Sequence, residues 1–390
     1  MDENRIMSKN VYIGVGGVAR KVKNIYIGVG GVARKVKKGY IGVGGVARLF
    51  YENSKVEFLG SGSVALTYPR HYLAGTSLSN YALFGGGAQF SNYPIGYVEA
   101  INSSLSKTTC ARFSFNDSGN DSDNYYTVRN LAATSVGNYA LFGGGYNSPS
   151  YRDVVHVYNA SLVKQTNLQL TDVVAYLCAT TVGNYAMFAG GYNRSTSPTS
   201  LTAFSNSLTK STINLSVTRG GSARAGTVGS YAIIHGSHIY SESINTSLVR
   251  STITTVPVVQ FKGCAGANAG DKLLFAGANN DESSASNPYK SYVNVFDSSL
   301  TVSSLNLSVR RTCECGLSLN GYAIFAGGDS SSSTNLKGIE VFDRNLTRTN
   351  DWNLSESKFG MASAKAGKYG MIAGGTDGST EFNTIELFTG

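Results

Sequence analysis

The nine residues Gly137-Asn-Tyr-Ala-Leu-Phe-Gly-Gly-Gly145 decide the fold, because near-copies of them recur along the chain. Close copies begin at Ser79, Gly183 and Gly321, and weaker copies begin at Gly229, Gly270 and Lys368. The aromatic position of the motif is held, in chain order, by Tyr81, Tyr139, Tyr185, Tyr231, Lys272, Tyr322 and Tyr369. These markers stand 41 to 58 residues apart. Seven β-type repeats of this length predict an all-β fold, a seven-bladed propeller of four-stranded blades over residues 59–390.

Each copy of the motif has a physical interpretation. Tyr-Ala-Leu-Phe is a short apolar run that suits a strand buried on both faces. The pair before it, such as Gly137-Asn138, supplies the positive φ that a two-residue hairpin turn requires. The glycine doublet after it permits close backbone approach, which we expect near a crowded central axis. No helical pattern follows the doublets, which argues against a phosphate-binding loop.

A complete blade is predicted over residues 219–262, with an inner strand at Arg224–Val228. The turn between the third and fourth strands also repeats, as a short polar residue followed by Leu, at Asn102, Asn159, Asn206, Asn245, Asp297 and Asn345. Such residues make local side-chain turns, and the Leu is predicted to pack back. The last blade lacks a fourth strand of its own. We expect Val64–Thr67, just before a first inner strand at Arg70–Thr76, to supply it and to close the ring.

Residues 1–58 form a separate arm with three tandem repeats, Tyr12–Lys23, Tyr26–Lys37 and Tyr40–Arg48. Each repeat predicts a small hairpin around Val-Gly-Gly-Val that cannot bury a core alone. The arm is therefore predicted to dock to an assembly, with a solvated spacer and a nucleic-acid contact as alternatives. The predicted attachment residues are Tyr12, Arg20, Tyr26, Arg34, Tyr40 and Arg48.

The charge of the chain is unevenly distributed. The formal net charge is +9, and ten Lys and Arg against Asp2 and Glu3 place +8 of it in residues 1–50. The nearly neutral propeller is thus not predicted to bind nucleic acid. Five cysteines without a paired spacing predict buried thiols in a reducing cytoplasm. The sequence shows no apolar run of membrane-spanning length and no secretion signal.

Binding residues are expected on the face that carries the second–third loops and the connections between blades, because these segments vary in length. The insertion Ser114–Val128 belongs to the same face. Aromatic rings among Asn, Ser and Gly resemble a paratope, and aromatic rings also stack on sugars. The alternative is that loop tyrosines only cap the blades. The predicted ligand-binding residues are Tyr93, Tyr125, Tyr126, Tyr146, Asn147, Tyr151, Tyr192, Asn193, Arg194 and Tyr289.

Catalytic and metal-binding patterns are sparse. His235-x-x-His238 has no clear carboxylate companion, which argues against zinc. The acidic stretch Asn116–Asn124 offers oxygens to calcium but lacks a terminal bidentate Glu, so a flexible acidic loop is the favoured interpretation. Paired carboxylates for glycoside cleavage cannot be placed from the sequence. We therefore expect no enzyme activity and no cofactor.

Two resemblances give these expectations a context. The glycine doublet and the apolar third strand, as in Gly338-Ile-Glu-Val-Phe342, resemble a Kelch-type β-propeller over residues 70–390, although Trp352 is the single tryptophan. The repeats of residues 12–51, which read Tyr-Ile-Gly-Val-x-Gly-Val-Ala-Arg, resemble a module in structural proteins of phages and prophages of Gram-positive bacteria. The second resemblance implies a virion context and no particular reaction.

The sequence thus predicts a phage-particle structural protein, made in the host cytoplasm and located in the virion as a tail fibre or baseplate component. The arm would dock to other virion proteins, and the propeller would bind a host-surface glycan or protein. A homo-oligomer in the particle is expected, without membrane insertion. The alternatives are a capsid or tail decoration protein without a ligand and a propeller that cleaves glycans.

Overall fold

The computed structural model describes six strands between residues 12 and 52, and residues 55–390 with gaps at 91–95, 114–127, 237, 258–261, 280–288, 314 and 331–335. Every regular element in this part of the chain is a β-strand. Within the same residues, no helix has the length and apolar character needed to cross a bilayer. The chain divides into two compact units, Met1–Glu57 with Gly390, and Phe58–Thr389.

The first unit contains three antiparallel hairpins, one in each sequence repeat. They are β1 (Tyr12–Val15) with β2 (Val18–Lys21), β3 (Tyr26–Val29) with β4 (Val32–Lys35), and β5 (Lys38–Val43) with β6 (Val46–Glu52). In the first hairpin Val15 lies opposite Val18, so two glycines connect the strands, as predicted. The predicted attachment tyrosines lie on the first strand of each hairpin and the predicted arginines on the second. The docking role of these residues remains a prediction.

The second unit is a seven-bladed propeller, which confirms the predicted fold. The strand that follows the arm, β7 (Glu57–Ala65), is the outer strand of the last blade. Blade 1 contains β8 (Ala74–Leu78), β9 (Tyr81–Gly85), β10 (Val98–Asn102) and β11 (Lys107–Thr109). Blade 2 contains β12 (Ala132–Val136), β13 (Tyr139–Gly143), β16 (Val154–Asn159) and β17 (Leu168–Gln169), with the added hairpin β14 (Tyr146–Asn147) and β15 (Ser150–Tyr151). Blade 3 contains β18 (Cys178–Val182), β19 (Tyr185–Ala189), β20 (Ser200–Ser205) and β21 (Lys210–Asn214).

The remaining blades repeat this order, with each strand antiparallel to the previous one. Blade 4 contains β22 (Arg224–Val228), β23 (Tyr231–His235), β24 (Ser241–Asn245) and β25 (Arg250–Ile253). Blade 5 contains β26 (Ala265–Ala269), β27 (Lys272–Asn279), β28 (Tyr289–Phe296) and β29 (Val302–Asn306). Blade 6 contains β30 (Cys315–Leu319), β31 (Tyr322–Ala326), β32 (Gly338–Phe342) and β33 (Arg348–Asn353). Blade 7 contains β34 (Ala362–Ala366), β35 (Tyr369–Ala373) and β36 (Thr384–Thr389), completed by β7.

The ring closes through an N-terminal strand, but the strand lies earlier than predicted. It covers Glu57–Ala65 and not Val64–Thr67, because Thr67 already belongs to blade 1, where its backbone N–H donates to Glu99 at 2.9 Å. The first inner strand likewise covers Ala74–Leu78 and not Arg70–Thr76. Arg70 is buried and Tyr72 has a φ of 54°, which interrupts the extended backbone ahead of the strand.

The hydrophobic core lies between neighbouring blades. One cluster joins Phe84 and Ile101 of blade 1 to Met371 and Leu387 of blade 7, and the junction between blades 2 and 3 has the same construction. All five cysteines are buried free thiols, as predicted. The strand faces that the sequence gives to Ala, Leu, Ile and Phe are therefore the faces on which one blade packs against the next.

The third–fourth turns are built by one side chain that accepts two backbone N–H groups. Asn102 Oδ1 accepts from Ser104 and Ser106 at 2.9 Å each. The equivalent residues in blades 3 and 6 are Ser205 and Asp343, and not Asn206 and Asn345 as the sequence suggested. The following Leu has a φ of 61–65° in all six turns and packs against the core, at Leu105, Leu162, Leu208, Leu248, Leu300 and Leu346. This left-handed conformation costs roughly 1–2 kcal/mol for a non-glycine residue, which burial of the Leu side chain offsets.

The glycine doublets connect each blade to the next. The Gly145 N–H donates to the Val174 carbonyl at 2.8 Å, and the Gly375 N–H donates to the Arg70 carbonyl at 2.8 Å. A Cβ on Gly374 would lie 2.6 Å from the same Arg70 oxygen. The crowding that requires glycine is thus with the connection entering the next blade, and not with the propeller axis as the sequence analysis expected.

Candidate functional site

The second–third loops lie beside the connections that enter the blades. Backbone bridges join Arg129 to Tyr146 in blade 2 and Ala175 to Tyr192 in blade 3. The same bridge recurs between His71 and Ala88, Lys262 and Asn279, and Phe359 and Thr376. The loops and the connections therefore form one face of the propeller, and the side chains of both contribute to its surface.

Four tyrosines of blades 2 and 3 form a continuous row of rings on this face, which we name the tyrosine ladder. The ring centroids of Tyr146 and Tyr151 lie 5.0 Å apart, those of Tyr151 and Tyr192 lie 5.8 Å apart, and those of Tyr192 and Tyr176 lie 5.1 Å apart. The rings of Tyr176 and Tyr192 are stacked at 16°. A Cβ on Gly221 would lie 2.7 Å from Tyr176 and 3.0 Å from Tyr192, so a glycine is required beneath these two rings.

Arginines flank the outer end of the ladder. The Arg129 guanidinium lies 5.5 Å from the centre of the Tyr146 ring, a cation–π contact. A hydrogen bond to Ser148, together with Arg194 and Arg129, lowers the pKa of Tyr146. Within the ladder, burial and the neighbouring hydroxyls of Tyr176 and Tyr151 raise the pKa of Tyr192 to about 12. The Tyr192 hydroxyl therefore stays protonated near neutral pH and can donate a hydrogen bond.

The inner end of the ladder lines a cavity of 270 Å³ at the mouth of the central channel. Tyr72, Asn130 and Tyr176 line it, and each of them has a φ of 54–61°. They are linked in a chain: the Asn130 N–H donates to the Tyr72 carbonyl at 3.0 Å, and the Tyr176 N–H donates to the Asn130 carbonyl at 2.8 Å. Glycine adopts the same conformation at Gly263 and Gly360 of blades 5 and 7.

Side chains larger than glycine in this conformation cost of order 1–3 kcal/mol each and concentrate at functional sites. Blades 1 to 3 thus carry strained polar side chains at the channel mouth where blades 5 and 7 use glycine. The tyrosine ladder and this mouth cavity together form the candidate site, and Tyr176 belongs to both.

The structure brings together some of the predicted binding residues. Tyr146, Tyr151 and Tyr192 form the ladder, with Asn147 on β14 beside them. Asn193 and Arg194 follow Tyr192, and the Asn193 side chain is used within its loop, where Oδ1 accepts from Thr196 Oγ1 at 2.9 Å. Tyr289 begins β28 in blade 5, and Tyr93, Tyr125 and Tyr126 lie outside the described residues.

Sequence reasoning missed Tyr72, Asn130 and Tyr176. A signal for them exists, because His71-Tyr-Leu-Ala74, Arg129-Asn-Leu-Ala132 and Ala175-Tyr-Leu-Cys178 repeat the same pattern just ahead of three inner strands. The Leu of each pattern is buried, and the polar residue before it faces the cavity.

Sequence reasoning also missed four buried ion pairs, one each in blades 1, 4, 6 and 7. Their cation–carboxylate distances are 2.7 Å for Arg70–Glu99, 3.2 Å for Arg219–Glu242, 3.3 Å for Arg311–Glu340 and 3.0 Å for Lys358–Glu386. Each carboxylate also accepts a backbone N–H from the residue three positions before its cation, at Thr67, Ser216, Ser308 and Ser355. Burial alone would raise the pKa of Glu99, but Arg70 and Thr67 hold it below its ordinary value. Each pair joins the connection that enters a blade to the third strand of the same blade, away from solvent.

The two histidines of the His235-x-x-His238 pattern lie in different surroundings. His235 is buried, stacks on Phe275 at 4.7 Å, and its Nδ1 lies 2.7 Å from Ser241 Oγ. His238 is half-buried, and its ring centroid lies 5.2 Å from that of Tyr240. No group of three or more His, Cys, Asp or Glu in the described ranges could hold a metal ion. The acidic stretch Asn116–Asn124 lies outside those ranges.

Comparison with known proteins supports the propeller fold and indicates no family or activity. No family model and no curated protein matches the sequence. Among solved structures, the chain is similar to one described as "Structure of YjhT", with a TM-score of 0.54 and 15% sequence identity. The similarity covers 84% of this chain and 96% of the other. At this identity the likeness shows a shared β-propeller fold.

Proposed function

We propose that this chain is a structural protein of a phage or phage-like particle, in which a Kelch-type propeller binds a glycan on the host surface. The arm, residues 1–58, would attach the propeller to other virion proteins. The observation that carries the binding half of the proposal is the tyrosine ladder, which extends from an added hairpin of blade 2 to the mouth of the central channel.

The ladder suits a saccharide better than a flat protein partner. Its rings are held by one another, so little side-chain entropy is lost when a ligand binds. Tyr192 is 36% exposed, and Tyr146, Tyr151 and Tyr176 are half-buried, so ring surface and hydroxyls are both accessible. Aromatic surface for the apolar face of a sugar, next to hydroxyl and amide groups for its polar edge, is a combination found in ligand sites.

The arm half of the proposal rests on its three equal hairpins. Each hairpin is too small to be stable alone, and a repeated unit favours repeated docking on an ordered surface. The net charge of +8 in residues 1–50 would favour an acidic partner surface.

The test measures binding of the full chain to purified cell-wall polysaccharides and intact cells of Gram-positive bacteria. Tyr192→Ala is expected to weaken binding about tenfold, equal to ~1.4 kcal/mol, because a buried aromatic at an interface centre contributes at least that much. Tyr322→Lys is the matched control. Tyr322 is the first residue of its second strand, whereas Tyr192 follows the end of one. Lysine already occupies the position of Tyr322 in blade 5, as Lys272.

Unchanged binding by Tyr192→Ala, or equal loss by both variants, would contradict the ladder as the binding surface. Absence of binding to any wall fraction, together with incorporation of the chain into particles, would favour a decoration protein without a ligand.

A further inference from the structure

Arg224 breaks the sevenfold pattern of the inner strands. It is the first residue of β22, and the corresponding first residues of the other six inner strands are small: Ala74, Ala132, Cys178, Ala265, Cys315 and Ala362. Those six side chains are buried, and Ala74, Ala132, Cys178 and Ala362 line the mouth cavity together with Arg224. Arg224 differs from them because it is half-buried and carries a charge. An extra residue in the Gly220-Gly-Ser222 connection precedes it, compared with the entry to blade 3.

Among the described residues, the cavity contains no acidic side chain that could neutralise this arginine. Arg224 is the one charged residue among those that line the cavity, and none of them is acidic. The hydrogen bond of its guanidinium is to the neighbouring Ala223 carbonyl, from Nη1 at 2.9 Å. Among the described residues no carboxylate forms an ion pair with it, although the four buried cations described above all have one. The adjacent Cys178 is a neutral thiol, because burial raises its pKa to about 12.

We propose that the mouth cavity binds the anionic group of a saccharide or polyol, a carboxylate or a phosphate, with Arg224 as its cation. A guanidinium matches both anions through two parallel N–H bonds. Tyr72, Tyr176 and Asn130 line the same cavity, and their side chains carry hydroxyl and amide groups of the kind that donate to anionic oxygens. A volume of 270 Å³ is slightly below the usual range for drug-sized ligands, which suits one sugar residue.

This inference rests on the proposed function and deepens it. The ladder ends at Tyr176, which also lines the cavity, so a chain of sugars on the ladder would present one residue to Arg224. The expected ligand is therefore an acidic polysaccharide or a polyol phosphate, and not a neutral glycan.

The test is calorimetric titration of the full chain with four probes: methyl glucuronide, methyl glucoside, glycerol phosphate and glycerol. We expect at least one acidic probe to bind ten times more tightly than its neutral partner, and the comparison identifies whether carboxylate or phosphate is preferred. Arg224→Gln is expected to abolish that preference, and Arg224→Lys to retain part of it. Lys210→Gln, which removes the same charge from an exposed outer strand, should change nothing.

Equal binding of acidic and neutral probes, an unchanged preference in Arg224→Gln, or no binding of either acidic probe at millimolar concentration would each overturn the inference. Near-UV circular dichroism and the melting temperature establish that the variants are folded. If wall binding that depends on Tyr192 persists in any of these cases, the proposed function stands and the anion site alone fails.

Discussion

Blades 3 and 7 follow one backbone plan and fill it with different side chains. In blade 7, Lys358 and Glu386 form a buried ion pair, and the Ser355 N–H donates to the same carboxylate at 3.0 Å. In blade 3, Val174 replaces the lysine and Thr202 replaces the glutamate. The backbone N–H of Thr171, which corresponds to that of Ser355, donates to Thr202 Oγ1 at 2.9 Å. The plan therefore requires a satisfied backbone N–H and does not require the ion pair.

The same two blades differ at the channel mouth. Gly360 and Tyr176 have φ angles of 67° and 61°, so the backbone is alike while one side chain is absent and the other is an aromatic ring. Blade 3 gives up the ion pair and carries the ladder, whereas blade 7 keeps the pair and has no ring at its own mouth position. The difference separates positions that hold the propeller together from positions that are available for a ligand.

The largest effect on stability is expected when one partner of the blade 7 ion pair is removed. This change tests the comparison with blade 3 most directly. Lys358→Val leaves Glu386 as an uncompensated buried charge, and we expect the free energy of unfolding to fall by about 3–5 kcal/mol. Urea denaturation followed by intrinsic fluorescence measures the change.

The double variant Lys358→Val with Glu386→Thr reproduces blade 3 and is the control. We expect it to recover most of the lost stability, because an uncharged Val–Thr pair, as in blade 3, leaves no unpaired charge in the interior. If the double variant is as unstable as the single one, blade 3 and blade 7 are not interchangeable solutions, and the comparison fails.

An effect that is smaller per pH unit concerns blade 2, where His156 stands at the place of the blade 7 glutamate. Burial lowers the pKa of His156 to about 3, and its ring stacks on Phe113 at a centroid distance of 4.4 Å. Near pH 5 the folded state keeps this histidine neutral, while the unfolded chain, with a pKa near 6.5, binds a proton.

The free energy of unfolding should therefore fall as the pH decreases from about 6.5 towards 3, by up to ~1.4 kcal/mol per pH unit from this residue. Denaturation series at several pH values, for the wild type and for His156→Phe, measure the contribution of His156 to this pH dependence. Equal slopes in the two proteins would show that the buried imidazole does not resist protonation.

The smallest effect on stability is expected from Tyr176→Gly, which converts the mouth of blade 3 to that of blade 7. Relief of the positive φ and loss of the ring stacking oppose each other, so the free energy of unfolding should change by less than about 1 kcal/mol. Binding to wall polysaccharide should nevertheless decrease about as much as in Tyr192→Ala. A large loss of stability would assign Tyr176 to the scaffold and remove the distinction drawn above.

The sequence was sufficient to predict the architecture because each blade repeats its own turn chemistry. The inner strand predicted at Arg224–Val228 has those bounds in the structure, and the glycine–aromatic motif marks all seven second strands. Tyr146, Tyr151 and Tyr192 were also predictable as a group, since they follow the glycine doublets of adjacent repeats.

The remaining features depend on contacts that no local pattern encodes. Arg70 and Glu99 are 29 residues apart, and Arg70 stands beside the exposed Tyr68, so its burial is visible only after the blade folds. Tyr176 lies between the apolar residues Val174 and Leu177 and looks like part of a core segment. Its positive φ accompanies a hydrogen bond to the preceding blade, in which the Tyr176 N–H donates to the Asn130 carbonyl.

The strand that closes the ring has a mechanical consequence. Any tension on residues 1–56 enters the propeller at Glu57, the first residue of β7, which is hydrogen-bonded along the edge of β36. Phe58 lies 5.0 Å from Phe388 and 5.8 Å from Trp352, between ring centroids, so the point of loading is anchored to two blades at once. A pulling force on the arm is therefore distributed over the backbone hydrogen bonds between β7 and β36 and over the ring contacts of Phe58. The strand pair that closes the ring is the part of the propeller that bears this force.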